Sequence, residues 1–236
     1  MFATMCREYG GIDVLRYETL SAPAMRPGCV RVQVEAAGVS FANTVVIAGK
    51  HQNTPDLPFV PGTEMAGTVS EVAPGVTDLE VGDRVMASLS SGAFSSELVA
   101  SPYDLYPIPA HMDAATATAL PTLYGTTLGA LRWRARLQAG QFLLVHGAGG
   151  GTGLAAVDLG AMIGARVIAC AGGDEKLAAA GHRGAEFLID HRKEDFRERV
   201  LEITNGRGVD VVYDPVGGDA FRQSLRCTAP EGVILI

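Results

Sequence analysis

The sequence predicts an α/β protein in two parts, a mainly antiparallel β domain followed by a doubly wound parallel sheet. Residues 1–123 contain short apolar–polar alternations separated by Pro-Gly and Gly-Asp turns, as in antiparallel sheets. Residues 124–236 alternate short apolar strands with helical segments, a pattern typical of a parallel sheet with helices on both faces. A glycine-rich run joins the first of these strands to the first of these helices. We therefore place the domain boundary between residues 123 and 124.

The N-terminal domain is predicted from strands with a period of two. Val30, Val32 and Val34 alternate with polar residues, which indicates a strand with one face exposed to water. The further strand candidates in this part are Met65–Val72, Arg84–Ser88 and Phe94–Ala100. Short strands separated by turns favour a small barrel or sandwich.

The C-terminal domain is predicted from an alternation that begins after an Ala- and Leu-rich stretch interrupted by Pro121. The strand candidates are Gln141–His146, Arg166–Ala171, Glu186–Asp190, Val209–Tyr213 and Val233–Ile236. The helix candidates are Thr152–Ile163, Asp174–Ala180, Glu194–Thr204 and Asp219–Cys227. Parallel sheets of this kind have the strand order 3-2-1-4-5-6 and bind ligands at the carboxyl ends of their strands.

Composition and charge exclude several functional classes. The net charge of −7 lacks the basic character of a nucleic-acid-binding protein. The N-terminus does not resemble a secretory signal, and no apolar run is long enough to span a membrane. The four cysteines show no C-x-x-C spacing, so neither a zinc ribbon nor a disulfide framework is indicated. We predict a cytoplasmic protein with neither a nucleic-acid nor a membrane partner.

The run GAGGGTG after the strand QFLLVH predicts a dinucleotide site. Ala148, Gly150 and Gly153 occupy the three positions of the G-x-G-x-x-G pattern, with Gly151 and Thr152 between the last two. Gly150 would allow the backbone to approach a pyrophosphate, and Gly153 would allow the helix to pack closely on its strand. The helix N-terminus would then face the anion.

The tip of the second strand favours NADPH over NADH. Sites for NADH usually carry Asp or Glu there, whereas this sequence has Cys-Ala-Gly-Gly, including Gly172. Asp174 follows and is interpreted as a helix N-cap. Lys176, His191 and Arg192 would neutralise a 2′-phosphate. The sequence therefore predicts NADPH as the cofactor.

Three motifs together resemble the quinone oxidoreductase branch of the medium-chain dehydrogenase/reductase superfamily. They are GVSFANTVVIAGKHQNTPDLPFVPGTEMAGTV (Gly38–Val69), VHGAGGGTG (Val145–Gly153) and GRGVDVVYDPVGGDAF (Gly206–Phe221). The resemblance implies a GroES-like N-terminal domain, a Rossmann-fold domain, and NADPH held between them. It also implies hydride transfer to a small quinone or α,β-unsaturated carbonyl substrate.

The resemblance also identifies candidate site residues. Where zinc-dependent relatives have Cys, His and Cys, this sequence has Ser40, Thr63 and Thr122, whose hydroxyls do not replace thiolate and imidazole. A zinc-free site is therefore predicted. The residues that the resemblance places at the nicotinamide and its pocket are Ser40, Phe41, Thr63, Thr126, Val216 and Gly217, with His51 as a candidate proton donor.

Two departures from the family leave alternatives open. Ser40 and Asn43 replace the usual Asn and Asp, and the chain stops inside its fifth strand, so we expect a fragment or a natural truncation. The missing sixth strand commonly carries the homodimer contact of the Rossmann domain in full-length relatives. An enoyl-thioester reductase and a non-catalytic NADPH-binding protein are the alternatives to a quinone or enone reductase.

Overall fold

The structure is a computed structural model that describes all 236 residues. It divides into two compact units, Met1–Thr122 and Leu123–Ile236, which we call the N-terminal and C-terminal units. The boundary that we place from the sequence lies one residue from this division. None of the helices combines the length and apolar character needed to cross a bilayer.

The N-terminal unit is built on antiparallel strands. Its elements are β1 (Phe2–Met5), β2 (Arg16–Thr19), β3 (Val30–Gly38), α1 (Phe41–Ile47), β4 (Glu64–Val72), β5 (Arg84–Ser88), β6 (Glu97–Ala100), β7 (Leu105–Pro107) and α2 (Ala114–Thr118). One five-stranded sheet has the order β6-β3-β4-β5-β7, and β1 pairs with β2. Val30, Val32 and Met65 are fully buried in its core, as the period of two predicts.

Gly67 is the point of closest approach between the two longest strands of this unit. The pairing of β3 with β4 shifts register between Val34 and Ala36, and this irregularity brings the β3 backbone over Gly67. A Cβ at Gly67 would meet the carbonyl oxygen of Gln33 and would lie 3.1 Å from the Cα of Val34. The sheet therefore requires glycine at this position.

The C-terminal unit alternates strands and helices. Its elements are α3 (Gly125–Leu128), β8 (Phe142–His146), α4 (Gly151–Ile163), β9 (Arg166–Ala171), α5 (Asp174–His182), β10 (Phe187–Asp190), α6 (Phe196–Ile203), β11 (Val209–Tyr213), α7 (Asp219–Ser224) and β12 (Thr228–Leu235). The parallel sheet has the order β10-β9-β8-β11-β12, which confirms the predicted order 3-2-1-4-5. The α/β fold class is confirmed for both units.

Both faces of the parallel sheet are buried. Leu143 and Val145 of β8 belong to the apolar cluster beneath α4, whereas Leu144 belongs to the cluster on the other face. Burial on both faces explains why these strands are continuous apolar runs rather than alternating ones.

Some elements differ from the sequence-based expectations. The stretch around Pro121 contains π-helical turns at Leu120–Tyr124 and Gly129–Arg134 instead of one interrupted α-helix. β12 begins at Thr228, five residues before the predicted start, because its first residues extend the pairing with β11 beyond the apolar run. The strands β1, β2 and β7 and the helix α1 were not predicted, since each is too short to show a periodic pattern.

Replacing Gly67 with Ala should destabilise the protein by about 1–3 kcal/mol, because the added methyl overpacks the β3–β4 contact. The control is Gly181→Ala in α5, where the nearest atom to a Cβ is 3.6 Å away and alanine favours the helix. Urea denaturation of both variants measures the difference. Equal stability of Gly67→Ala and the parent would contradict the close approach.

Candidate functional site

A cleft of about 460 Å³ lies at the carboxyl edge of the parallel sheet, which is where such folds bind ligands. Five of the residues predicted to bind the cofactor line it: Gly150, Gly172, Lys176, His191 and Val216. The other lining residues are His146, Gly147, Gly149, Cys170, Ala171, Phe196, Ala220 and Gln223.

Two groups of these other lining residues differ in whether the sequence could have identified them. His146, Cys170 and Ala171 are the last residues of β8 and β9, so their position at strand ends was a usable signal. Phe196 and Gln223 come from α6 and α7, and no local pattern in the sequence marks them.

The glycine loop folds tightly between β8 and α4. Gly147 has a φ of 59°, so it forms the turn. A Cβ on Gly153 would lie 2.8 Å from the carbonyl carbon of Gly147 and 2.9 Å from the Cα of Ala148. Gly153 therefore allows the close packing of helix on strand, as predicted from the motif.

The remaining residues of the predicted loop set do not line the cleft. Ala148 is buried beneath it and donates its N–H to the carbonyl of Cys170 at 3.2 Å. Gly151 packs against Leu123, 3.0 Å from where a Cβ would lie, and Thr152 is half-buried. These residues position the loop, whereas Gly147, Gly149 and Gly150 present backbone to the cleft.

The start of α4 fits an anionic ligand. Its N-cap is Gly150, which has no side chain to accept hydrogen bonds from the first-turn N–H groups. The positive end of the helix dipole therefore opens into the cleft. The aliphatic stem of Lys176 lies over Gly149, with its Cγ 2.6 Å from the position of a Cβ there. This backbone and this ammonium group suit a pyrophosphate.

The side chains of Arg192 and His191 lie over the tip of β9. The Nε of Arg192 lies 2.9 Å, and the Nε2 of His191 lies 3.2 Å, from where a Cβ on Gly172 would lie. The guanidinium of Arg192 also crosses Gly173, whose φ of 100° closes the turn. Arg192 is held near Asp190, with 3.5 Å between Nε and Oδ1.

Asp174 does not cap α5, contrary to the interpretation from the sequence. The N-cap is Gly173, and Asp174 is the first residue of the helix. Its carboxylate accepts a hydrogen bond from the ammonium of Lys193 at 2.8 Å. No acidic side chain lines the cleft, and the Asp190 carboxylate nearby is paired with Arg192 and Lys193.

His146 forms a buried polar contact at the base of the cleft. One ring nitrogen, Nε2, lies 2.9 Å from the hydroxyl of Ser224 in α7, and the ring packs edge-on against Phe196. Burial lowers the pKa of His146 below its ordinary value of 6.5, and the nearby Asp214 carboxylate only partly opposes this effect. Burial also raises the pKa of Cys170 to about 12, so its thiol is an unreactive part of the wall.

The loop after β11 is fixed by Asp214. Its Oδ1 accepts hydrogen bonds from the N–H groups of Val216 at 3.0 Å and Gly217 at 2.9 Å. This contact gives Asp214 the role of fixing the turn. Val216 lines the cleft, and Gly217 shapes the loop with a φ of 71°. The other carboxylate oxygen of Asp214 is buried without a hydrogen-bond partner.

Thr127, which follows the predicted cofactor residue Thr126, joins helix α3 to the parallel sheet. Thr127 is fully buried, and its hydroxyl lies 3.2 Å from the hydroxyl of Tyr213 at the end of β11. Thr126, which the resemblance places at the cofactor, is exposed and does not line the cleft. The Thr127–Tyr213 contact therefore sets the orientation in which α3 presents Thr126.

The predicted catalytic residues lie in the N-terminal unit. Gly38 pairs with Glu64, so Ser40 and Thr63 leave the sheet at the same end of neighbouring strands. The backbone N–H of Ser40 donates to the Oδ1 of Asn43 at 2.7 Å, and the Thr63 hydroxyl donates to the buried Glu64 carboxylate at 2.7 Å. These contacts are structural.

Phe41 and His51 are less tied to their surroundings. Phe41, in the first turn of α1, has 83% of its surface exposed. His51 lies in the turn after α1, where its Nδ1 accepts the N–H of Asn53 at 3.1 Å, and it makes no hydrogen bond with Ser40 or Thr63. No group of three or more His, Cys, Asp or Glu side chains is arranged to hold a metal ion. The zinc-free site stays a prediction that rests on residue types.

Two family models match the chain. Residues 26–131 match the alcohol dehydrogenase GroES-like domain, and residues 151–236 match the zinc-binding dehydrogenase family. The chain is 41% identical over 235 residues to the quinone oxidoreductase-like protein 2 homolog of Nematostella vectensis. The match covers 99% of the chain and 64% of that relative, so the chain spans about two thirds of its length.

Solved structures share the fold at comparable identity. The Escherichia coli quinone oxidoreductase complexed with NADPH superposes with a TM-score of 0.90 at 33% identity, over 99% of this chain and 72% of that one. The CurK enoyl reductase superposes with a TM-score of 0.90 at 30% identity, also over 99% of this chain and 72% of that one.

Protonation of His146 should destabilise the fold. Because its pKa is lower when folded than when unfolded, the unfolded chain binds the proton more readily, and stability falls as pH drops through about 6.5. We expect His146→Gln, which keeps a hydrogen bond for Ser224, to lose less stability than the parent between about pH 7.5 and pH 5.5. Urea denaturation at both values measures this. Identical losses in parent and variant would show that His146 does not contribute.

Proposed function

Because the chain belongs to the quinone oxidoreductase branch of the medium-chain dehydrogenase/reductase superfamily, we propose that it is an NADPH-dependent, zinc-free reductase of quinones or α,β-unsaturated carbonyls. The observation that carries the cofactor assignment is the tip of β9. There, Arg192 and His191 cover an acid-free Gly172–Gly173 turn at the edge of the cleft. A 2′-phosphate needs cations and no carboxylate at this place.

Residues of the C-terminal unit would hold the cofactor by its phosphates. The uncapped first turn of α4 and the Lys176 ammonium suit the pyrophosphate, and the Arg192 guanidinium suits a 2′-phosphate. Val216, held by Asp214, forms the facing wall. When bound, NADPH supplies the hydride, so the protein's task is to bind, orient and exclude water.

Residues of the N-terminal unit are proposed to act on the substrate. A conjugated carbonyl needs no Lewis acid when hydrogen bonds stabilise its developing charge. Ser40 and Thr63 retain hydroxyls, although both are engaged with Asn43 and Glu64. His51, whose Nδ1 accepts a backbone hydrogen bond, would carry its proton on Nε2 and is the proposed donor to the reduced substrate. Phe41 offers an exposed apolar surface for a ring.

A second candidate is an enoyl-thioester reductase, which the likeness to the CurK enoyl reductase favours. Its substrate is also a conjugated carbonyl, so the same residues would serve. A non-catalytic NADPH-binding protein is the third candidate. Cytoplasmic location and pairing of two copies through the Rossmann domain stay predictions of the sequence analysis.

Replacing Arg192 with Gln should weaken NADPH binding about tenfold or more and leave NADH binding nearly unchanged, because only NADPH carries the 2′-phosphate. Calorimetric titration with each nucleotide measures the ratio. Arg199→Gln on α6, outside the cleft, removes the same charge and serves as the control. Equal weakening for both nucleotides would place Arg192 at another part of the cofactor.

Turnover separates the three candidates. We expect the chain to oxidise NADPH in the presence of a quinone, and a crotonyl thioester in a parallel assay tests the enoyl-thioester alternative. The control is Gly150→Asp, which places a carboxylate at the proposed pyrophosphate seat and should abolish both binding and turnover. Tight NADPH binding without turnover of either acceptor would leave only the non-catalytic reading.

A further inference from the structure

A cationic patch with an exposed indole lies outside the cofactor cleft. It consists of Arg132, Trp133, Arg134 and Arg136, in the sequence RWRAR, and we call it the Trp133 patch. All four side chains are exposed, and Trp133, the only tryptophan, has 78% of its surface in contact with solvent. Neither the glycine loop nor the proposed chemistry uses these residues.

The patch is held rigidly by its neighbours. Leu131 and Leu137, on either side of it, are fully buried in the apolar cluster beneath α4. The carbonyl of Leu131 accepts the N–H of Leu137 at 2.9 Å, and the carbonyl of Ala130 accepts the N–H of Ala135 at 2.9 Å. Because one side of this turn faces the core, Trp133 must face outward with an arginine on each side.

One edge of the Trp133 indole lies against the turn. Its Cε3 and Cζ3 atoms lie 3.4 Å and 3.6 Å from where a Cβ on Gly129 would lie. The absence of a side chain at Gly129 leaves room for the ring against the backbone. Most of the indole is therefore presented to solvent as an apolar surface.

The three arginines have no partner in the protein. Arg132, Arg134 and Arg136 form no ion pair, and their guanidinium groups make no hydrogen bond, although most other arginines do both. The chain as a whole carries a net charge of −7. A concentration of unpaired guanidinium groups on an acidic protein indicates a ligand that supplies carboxylates or other anions.

The patch is also separate from the cofactor cleft. Its segment enters the sheet at the amino end of β8, through the turn between Leu137 and Phe142. The glycine loop leaves β8 at the carboxyl end, after His146. None of the four patch residues lines the cleft.

We propose that the Trp133 patch is a docking surface for an acidic segment of a partner protein. Carboxylates of the segment pair with the arginines, and an apolar side chain covers the indole. Tryptophan and arginine are the residue types that dominate protein–protein hot spots, and a rigid surface reduces the entropy lost on binding.

Other anionic ligands match the surface less well. A lipid surface requires a broad apolar face, whereas this patch offers one indole, and an anionic leaflet repels the net charge. Nucleic acid requires an extended basic stripe, which a chain of net charge −7 does not have.

The single tryptophan makes the proposal directly measurable. The chain is titrated with a short Trp-free peptide in which Glu alternates with Leu, while the emission of Trp133 is recorded. We expect a saturable shift to shorter wavelength that weakens with added salt. A matched peptide with Gln for Glu, phosphatidylserine vesicles and single-stranded DNA are titrated in parallel. No saturable change with the acidic peptide, or tighter binding to vesicles or DNA, would overturn the proposal.

A matched pair of variants tests whether the acidic peptide binds at the Trp133 patch. The triple variant Arg132→Gln, Arg134→Gln and Arg136→Gln should bind the acidic peptide about tenfold more weakly. The control carries Arg199→Gln, Arg222→Gln and Arg226→Gln, which removes the same charge from exposed positions elsewhere in the C-terminal unit. Equal weakening in both variants would show a general charge effect and would contradict a defined surface. Circular dichroism confirms that both variants are folded.

Discussion

The close packing of α4 against the end of β8 is the constraint on which the C-terminal unit depends. Gly153 touches the backbone of Gly147 and Ala148, so no side chain fits between helix and strand. This contact brings the uncapped N-terminus of α4 to the edge of the sheet. It also leaves Gly147, Gly149 and Gly150 as bare backbone in the wall of the cleft. The helix dipole and the open backbone thus both follow from one packing requirement.

Buried polar groups hold the remaining walls of the cleft in place. Asp214 fixes the loop that carries Val216, and Ser224 fixes the ring of His146. Each of these contacts joins the end of one strand to the loop or helix that faces it. Because the groups are buried, their partners cannot be exchanged for water without a cost in free energy. The shape of the cleft is therefore set by polar contacts as well as by apolar packing.

The acidic chain carries two separate groups of basic side chains, one at the cofactor cleft and one in the Trp133 patch. Arg192, beside the cleft, lies next to the carboxylate of Asp190, which holds its guanidinium near the tip of β9. The arginines around Trp133 have no such partner and face solvent. At physiological salt, electrostatic interactions between exposed charges are screened beyond about 8–10 Å. Each group of basic side chains can therefore attract a nearby anion although the net charge of the chain is negative. One surface suits a small phosphate-bearing ligand, and the other suits an extended acidic one.

The periodic patterns of the sequence determined most of the fold. The alternation around Val30 and the apolar runs at Leu143–Val145 are set by which faces of a strand are buried, and burial acts on each strand locally. The glycine motif likewise determined the tight junction between β8 and α4, since its spacing encodes a strand–turn–helix unit. Short elements such as α1 and β7 escaped prediction because they hold fewer than two full periods.

The tertiary structure alone decided how distant residues meet. His146 and Ser224 are 78 residues apart, and Thr127 and Tyr213 are 86 apart, so no local pattern connects them. Placement of the Arg192 guanidinium over Gly172 and Gly173 depends on the pairing of β9 with β10. Local propensity specifies elements, because it acts between neighbours along the chain. Which side chains share a cleft depends on how the elements pack, and only the folded chain determines that.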